Sequence, residues 1–215
     1  MIKLYSYFRS SASFRVRIAL NLKGLPFETV PVHLLKGGGE QFAPEFRSLN
    51  PAALVPVLVD ESGAYSQSLA IIEYLEECHP APPLLPAGAA DRARVRAIAL
   101  SIACEIHPLN NLRVLGYLSK KLGVSDEDKN AWYRHWVETG LATVEAQLAH
   151  DPATGAFCHG DVATLADICL VPQIFNAQRF NCELGHVPTV MRIFERCLEL
   201  PAFADAAPAK QPDFA

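Results

Sequence analysis

Phe8-Arg9-Ser10-Ser11-Ala12-Ser13-Phe14-Arg15-Val16-Arg17-Ile18-Ala19-Leu20 is the stretch from which the fold of this chain is read. It follows a short strand-like run, Ile2 to Tyr7, and then turns helical. A basic residue and a group of hydroxyls therefore stand where strand passes to helix. The first turn of a helix offers unpaired N–H groups and the positive end of the dipole, a place that suits an anion. The same residues also read as an ordinary serine N-cap. Phe14, Ile18 and Leu22 recur at i, i+4 and i+8, which predicts one apolar stripe on a helix from Ser11 to Lys23. Gly24 closes it.

Downstream, Phe27–Val32 is rich in β-branched residues and reads as a second strand. Lys36-Gly37-Gly38-Gly39 lacks a following Lys-Ser/Thr pair, so it reads as a flexible connector rather than a phosphate cradle. A short irregular helix is expected over Gln41 to Ser48. Pro56 opens a third strand, where its missing N–H is tolerated. Val55–Pro56 is a candidate cis bond, set against the commoner trans form. Glu61-Ser62-Gly63-Ala64 turns the chain into a fourth strand. A helix from Leu69 to Cys78 follows, with Ser68 as its expected N-cap and Ile71, Ile72 and Leu75 facing the sheet. The order βαβ, connecting helix, ββα predicts a four-stranded mixed sheet with helices on its faces.

His79-Pro80-Ala81-Pro82-Pro83-Leu84-Leu85-Pro86 is a stiff, proline-rich boundary. It divides the chain into an α/β domain over 1–80, a linker over 81–88 and an all-α domain over 89–215. The helical part reads as Asp91–Leu118, kinked at Pro108, then Asp126–Ala149, Thr164–Phe180 and Thr189–Leu198. The tail from Pro201 is expected to wrap the surface. Thr164 and Asp167 stand as N-cap and N3 of a capping box, with Asp in the place usual for Glu or Gln.

Composition limits the function classes. Half of the 215 residues are hydrophobic, 20% are charged, and the net charge is −4. Nothing in this balance points to a nucleic-acid or membrane partner, and no apolar run is long enough to span a bilayer. The start of the chain reads directly as a strand, without a signal-peptide layout. None of the six cysteines forms a CxxC pair. They read as buried free thiols in a reducing cytoplasm, not as a disulfide frame or a metal site.

Several spaced motifs together carry a family resemblance. The chain resembles the cytosolic glutathione transferases, with a thioredoxin-like N-terminal domain and an all-α C-terminal domain. Arg9-Ser10-Ser11-x-Ser13-x-Arg15-Val16-Arg17-Ile18-Ala19-Leu20 is similar to the zeta class, which includes the maleylacetoacetate and maleylpyruvate isomerases. Gln67-Ser68-Leu69-Ala70-Ile71-Ile72-Glu73-Tyr74-Leu75, Ile106-His107-Pro108-Leu109-Asn110-Asn111, Gly160-Asp161, Leu170-Val171-Pro172-Gln173 and Gln211-Pro212-Asp213 also fit. Zeta-class members commonly read Ser-Ser-Cys where this chain has Ala12 as the third residue. A mechanism using a protein thiol at that position is therefore excluded.

The resemblance implies glutathione as cofactor, its thiolate being the reacting form. Ser10 is the expected hydrogen-bond donor to the sulfur, Ser11 the alternative one register away, and Arg9 a neighbour of the reacting centre. Gln67 and Ser68 open a helix suited to the γ-glutamyl carboxylate; Ser68 as a mere cap is the plain alternative. Val55 would pair its backbone with the cysteinyl part; Gln41 and His33 are weaker candidates on the loop side, of which the resemblance supports Gln41. His107 and Asn111, four apart, and Asn110 and Arg113, three apart, would share helix faces. His107 and Asn111 match glutathione-contacting positions of the family. Arg9, Arg113 and Arg179 would suit a substrate with a carboxylate at each end. The implied reaction is addition of the thiolate to a cis double bond conjugated with a ketone, rotation, and elimination to a fumaryl product. Conjugation or dehalogenation of small electrophiles such as α-halo acids is the second reading, and a non-catalytic scaffold the third. The family also implies a homodimer.

Overall fold

In the computed structural model, which describes residues 1–214, β1 (Ile2–Ser6) runs into α1 (Ser11–Leu22) and returns as β2 (Phe27–Pro31). β1 and β2 pair in parallel from Ile2↔Phe27 to Ser6↔Pro31, which requires the crossover that α1 supplies. β3 (Val57–Val59) runs antiparallel to β1, and β4 (Ala64–Ser66) runs antiparallel to β3. The sheet order is β2-β1-β3-β4, the mixed sheet expected. Leu4 and Leu58 are fully buried in it, and α3 (Ser68–Cys78) buries Ile71, Ile72 and Leu75.

α1 ends as its sequence dictates. Gly24 takes φ +63, its N–H donates to the Asn21 carbonyl, and Leu25 N–H donates to the Leu20 carbonyl. Those two bonds form a Schellman closure. The expected stripe is too narrow, however. Arg15 and Arg17 are buried as well as Phe14 and Ile18, while Leu22 is half-buried. The reason lies at the far end of the chain.

The chain forms two units, Met1–Leu84 with the segment from Leu200 onward, and Leu85–Glu199. The tail expected to wrap the surface of a helical domain over 89–215 is thus built into the first unit. Phe203 and Ala206 are buried there, Asn21 Nδ2 donates to the Ala202 carbonyl, and Arg17 Nε donates to the Ala206 carbonyl. The first part of the expected linker also belongs to this unit. Buried Lys23 Nζ donates to Glu76 Oε2 at 2.7 Å and to the carbonyls of His79 and Pro82, and Glu76 accepts from Leu84 N–H.

The second unit is helical: α4 (Ala89–Leu100), α5 (Leu112–Lys120), α6 (Asp126–Leu148), α7 (Leu165–Arg179) and α8 (Pro188–Leu198). α7 is its core helix and is buried along most of its length. The Thr164–Asp167 capping box is formed. Asp167 Oδ2 accepts from Thr164 N–H at 2.8 Å, and its Oδ1 accepts from Cys158 N–H at 2.8 Å. Burial pushes the Asp167 carboxyl up, against these hydrogen bonds.

Three expectations need correction. The single kinked helix over Asp91–Leu118 is instead broken by a π-helical segment, Ser101–Ile106, and a 3-10 turn, His107–Asn110. The loop helix is a 3-10 turn over Glu40–Phe42 and then α2 (Pro44–Leu49), because Pro44 is favoured at a helix start. Cys78 and Cys104 are exposed, whereas Cys158, Cys169, Cys182 and Cys197 are buried; all six are free. Among the described residues no helix is long and apolar enough to cross a membrane.

Candidate functional site

In the first unit the site is assembled at the start of α1. Tyr7 O accepts from Ser10 N–H at 2.9 Å, closing a turn between β1 and the helix. Ser10 is the N-cap, with extended backbone, and its Oγ accepts from Ser13 N–H at 3.2 Å. That bond occupies an oxygen lone pair and leaves the hydroxyl proton available to a further acceptor. Ser10 is half-buried, while Ser11 is only 4% exposed. The cap thus falls on the same serine that the sequence reading put first as candidate donor. Arg9 is exposed, with its guanidinium 4.8 Å from the Phe8 ring centroid.

Two arginines to which the sequence reading gave no role of their own stand behind this turn. Arg17, 1% exposed, donates from Nη2 to the Phe8 carbonyl at 3.1 Å and from Nη1 to Ser6 Oγ at 3.1 Å. Burial lowers its pKa to about 10, against the opposing pull of Asp213, so it remains a cation at neutral pH. Arg15, 2% exposed, donates from Nη1 to Ser68 Oγ at 3.4 Å. It brings a positive charge from α1 to the first turn of α3. The available signal was their place on the helix: an arginine directly after Phe14 and another directly before Ile18 cannot both avoid the buried stripe.

Ser68 is not the N-cap of α3 but its first helical residue, and the cap is Gln67. Gln67 has φ 71 and ψ 115, a conformation that strains a residue bearing a Cβ. Strain of this kind persists where the surroundings hold it and marks functional positions. The Val55–Pro56 bond is cis. Val55 lies outside the strand ladder, which starts at Val57, so its backbone is not committed to the sheet. Asn50 secures the approach to it, donating from Nδ2 to the Leu54 carbonyl at 2.7 Å.

Gln41 is 6% exposed and donates from Nε2 to the Leu34 carbonyl at 3.3 Å. Its Oε1 is buried without a hydrogen-bond partner among the described residues. Such an atom is costly unless a ligand or water meets it. His33 is differently employed: its Nδ1 accepts from the N–H groups of Leu35 and Lys36, and its backbone exchanges bonds with Glu40. It shapes the loop rather than presenting that nitrogen to a ligand.

In the second unit, the shared helix faces proposed for His107 with Asn111 and Asn110 with Arg113 do not exist, because the chain is not α-helical between them. His107 is half-buried in the 3-10 turn. Asn111 caps α5, its side chain accepting from Arg113 N–H at 3.0 Å, which leaves its amide NH₂ for another partner. Arg113 is exposed. The turn is tied to α6 by Trp132 Nε1 donating to the Leu109 carbonyl and by Asn110 Nδ2 donating to the Tyr133 carbonyl. Tyr133 stacks on Phe180 at 3.7 Å between centroids, and the Arg179 guanidinium lies 4.8 Å from the same ring. Burial pushes the Tyr133 phenol up, so it stays protonated. Among the described residues no group of three His, Cys, Asp or Glu side chains could hold a metal ion.

The family model of the glutathione S-transferase N-terminal domain matches residues 9–78. A probable maleylacetoacetate isomerase of Vibrio cholerae is 54% identical over 210 residues, covering 98% of this chain and 97% of that protein. A holo structure of maleyl pyruvate isomerase, described as a bacterial zeta-class glutathione S-transferase, is 49% identical with TM-score 0.96, covering 99% of this chain and 100% of that one. The maleylacetoacetate isomerase of Anaeromyxobacter dehalogenans 2CP-1, solved with dicarboxyethyl glutathione and citrate in its active site, is 40% identical with TM-score 0.87. The match covers 100% of this chain and 98% of that one. A thioredoxin-like unit followed by a helical one is the glutathione transferase plan. The chain belongs to that family, and within it to the zeta class with the maleylacetoacetate and maleylpyruvate isomerases.

Proposed function

We propose that this protein is a glutathione-dependent cis–trans isomerase that converts a maleyl diketo acid, maleylpyruvate or maleylacetoacetate, to its fumaryl isomer. The observation that carries the reading is the Ser10 hydroxyl, fixed as a helix cap with its proton available. The chain's own residues fit glutathione on two further counts, the orphaned Oε1 of Gln41 and the strained Gln67 at the α3 start.

When bound, glutathione supplies a thiolate that adds reversibly to the conjugated double bond, so that the bond can rotate. Ser10 donates its proton toward the sulfur and, with the α1 dipole, holds the thiol in its ionised form. Ser11 is the alternative donor. Arg9 stabilises the negative charge that develops on the substrate's carbonyl oxygen. The first turn of α3, with Ser68 and the cation of Arg15 beside it, receives the γ-glutamyl carboxylate. Val55 pairs its backbone with the cysteinyl part and Gln41 serves from the loop side; His107 and Asn111 are assigned to glutathione by the family resemblance. Arg113 and Arg179 hold the substrate carboxylates, as guanidinium groups do well. Ala12 leaves the protein without a thiol of its own at this turn, so the sulfur comes from the cofactor.

The test is turnover of both maleyl substrates and of an α-halo acid, with free glutathione measured throughout. Fumaryl product at constant glutathione is expected. Stoichiometric loss of glutathione with either maleyl substrate would overturn the isomerase reading in favour of a transferase. R113A and R179A should raise KM for the maleyl substrate and leave KM for glutathione unchanged. We also assign the protein to the reducing cytoplasm as a homodimer, which sedimentation at several concentrations would check.

A further inference from the structure

The terminal motif Gln211-Pro212-Asp213 has no part in the chemistry above. We propose that Asp213 is a positioning residue for the thiolate site, its carboxylate setting where the Arg9–Ser10 turn stands. This rests on Ser10 serving bound glutathione.

Phe8 N–H donates to Asp213 Oδ2 at 3.0 Å, across a separation of 205 residues. The Phe8 carbonyl accepts from Arg17 Nη2 at 3.1 Å. Both backbone polar groups of the residue two before Ser10 are therefore held from outside the turn. Because Ser10 N–H is bonded to Tyr7 O, Phe8 is the second residue of a four-residue turn that ends on the capping serine. Fixing Phe8 fixes Ser10. The Phe8 ring is held too, edge-to-face with Phe214 at 5.5 Å, and Arg9 lies over it. Arg17, which grips the carbonyl, is itself bonded to Ala206 O in the tail. The tail thus reaches the turn directly, through Asp213 and Phe214, and again through Arg17.

A carboxylate is a stronger acceptor for an amide than a neutral oxygen. It is an expensive choice here, because Asp213 Oδ1 is buried without a hydrogen-bond partner among the described residues. A group chosen for stability alone would not leave that atom uncovered. A hydroxyl-to-sulfur bond depends steeply on distance and direction, and supporting contacts of this kind set how well such a site performs.

Arg9, Arg17 and Asp213 stand at this turn, with the His33 ring packed on Tyr7 at 5.0 Å, and the charge of Asp213 gives the test a diagnostic sign. Removing a nearby negative charge would by itself lower the pKa of a thiol. Losing the position of Ser10 would raise it. The full-length D213A and D213E variants are therefore titrated with bound glutathione by thiolate ultraviolet absorbance. Affinity for S-methylglutathione, which has no thiol to ionise, is measured beside it. D213A is expected to raise the bound thiol pKa by about one unit, so that the thiolate fraction falls roughly tenfold at pH values well below that pKa. Its kcat should recover at higher pH, with S-methylglutathione affinity unchanged. D213E, which keeps the charge but displaces it by one methylene, should raise the pKa as well, and it carries the test if D213A does not fold. A wild-type thiol pKa in the folded variant, or loss of S-methylglutathione affinity in step with activity, would overturn the proposal. A wild-type protein that fails to lower the pKa of bound glutathione at all would instead refute the role given to Ser10.

Discussion

Ser10 Oγ accepts from the Ser13 amide at 3.2 Å, so one side chain both starts α1 and presents a proton beside the helix dipole. Ser10→Ala removes both functions at once. Stability should fall by about 1 kcal/mol, the usual cost of a lost N-cap. Activity should fall far more, roughly 10²–10³-fold in kcat, the range for removing a donor to developing or stored negative charge. Ser11→Ala should keep the low pKa of bound glutathione. Urea melts and thiolate titration of the two variants side by side check this, and the opposite ranking would move the donor to Ser11.

Gln67 holds φ 71 in front of α3, where glycine carries no steric penalty. Gln67→Gly is expected to stabilise the fold by roughly 1 kcal/mol through relief of that strain. It should also raise KM for glutathione, because the side chain assigned to the γ-glutamyl end is gone. Gln67→Ala keeps the strain and loses the same contact. Denaturation midpoints with glutathione KM values separate the two effects.

Asp151 accepts from Arg94 Nε at 2.8 Å, and this bond, helped by the Ala153 amide, lowers its pKa. An acid with a depressed folded pKa adds stability that is fully present above its unfolded value and is lost as pH falls through the folded one. Wild type and Asp151→Asn should therefore differ in urea midpoint by a constant amount above pH about 4, the ordinary carboxylate range. The gap should close below it. A gap that widens on acidification would contradict the assignment.

Gly140 of α6 faces Ile106 at the end of the π-helical segment. A Cβ at this glycine would stand 2.4 Å from Ile106 Cγ1 and 2.6 Å from its Cδ1. Gly140→Ala should cost about 1–3 kcal/mol by overpacking. Combining it with Ile106→Ala should cost less than the two single changes added together, since the new methyl fills part of the space vacated. Thermal melts of the three variants measure the coupling.

Much of the first unit was legible from local patterns. The β1–α1 junction and the glycine closure of α1 are each decided by a few neighbouring residues, as is the Thr164–Asp167 cap of the second unit, while Val55–Pro56 stood as a cis candidate against the commoner trans form. Proline, glycine and hydroxyl side chains act on the backbone within three or four positions, so their effects can be read before any packing is known. The candidate site residues on these elements were picked out from the same local patterns, with the family resemblance supplying the roles proposed for them.

What remained hidden depends on distant contacts. The helical stripe of α1 set Arg15 and Arg17 beside buried positions but not what they would bond, because their partners Ser68 and Ala206 are distant in the chain. Hydropathy ranks such side chains as exposed, and only a buried acceptor reverses that. Periodicity carried one helix through Ser101–Asn110, whereas the packing of Ile106 against Gly140 and of the following turn against α6 accompanies a break there. Ser68 rather than Gln67 was read as the cap of α3, because the φ of 71 at Gln67 leaves no mark in composition.

The sequence by itself determined the strand–helix junction that carries Ser10 and the absence of a protein thiol at Ala12. Those depend on residue identity and short-range backbone chemistry. Only the tertiary structure decided that the chain's end returns to that junction, placing Asp213 on the Phe8 amide. A hydrogen bond spanning 205 residues is set by how the whole first unit closes, and no local propensity records it.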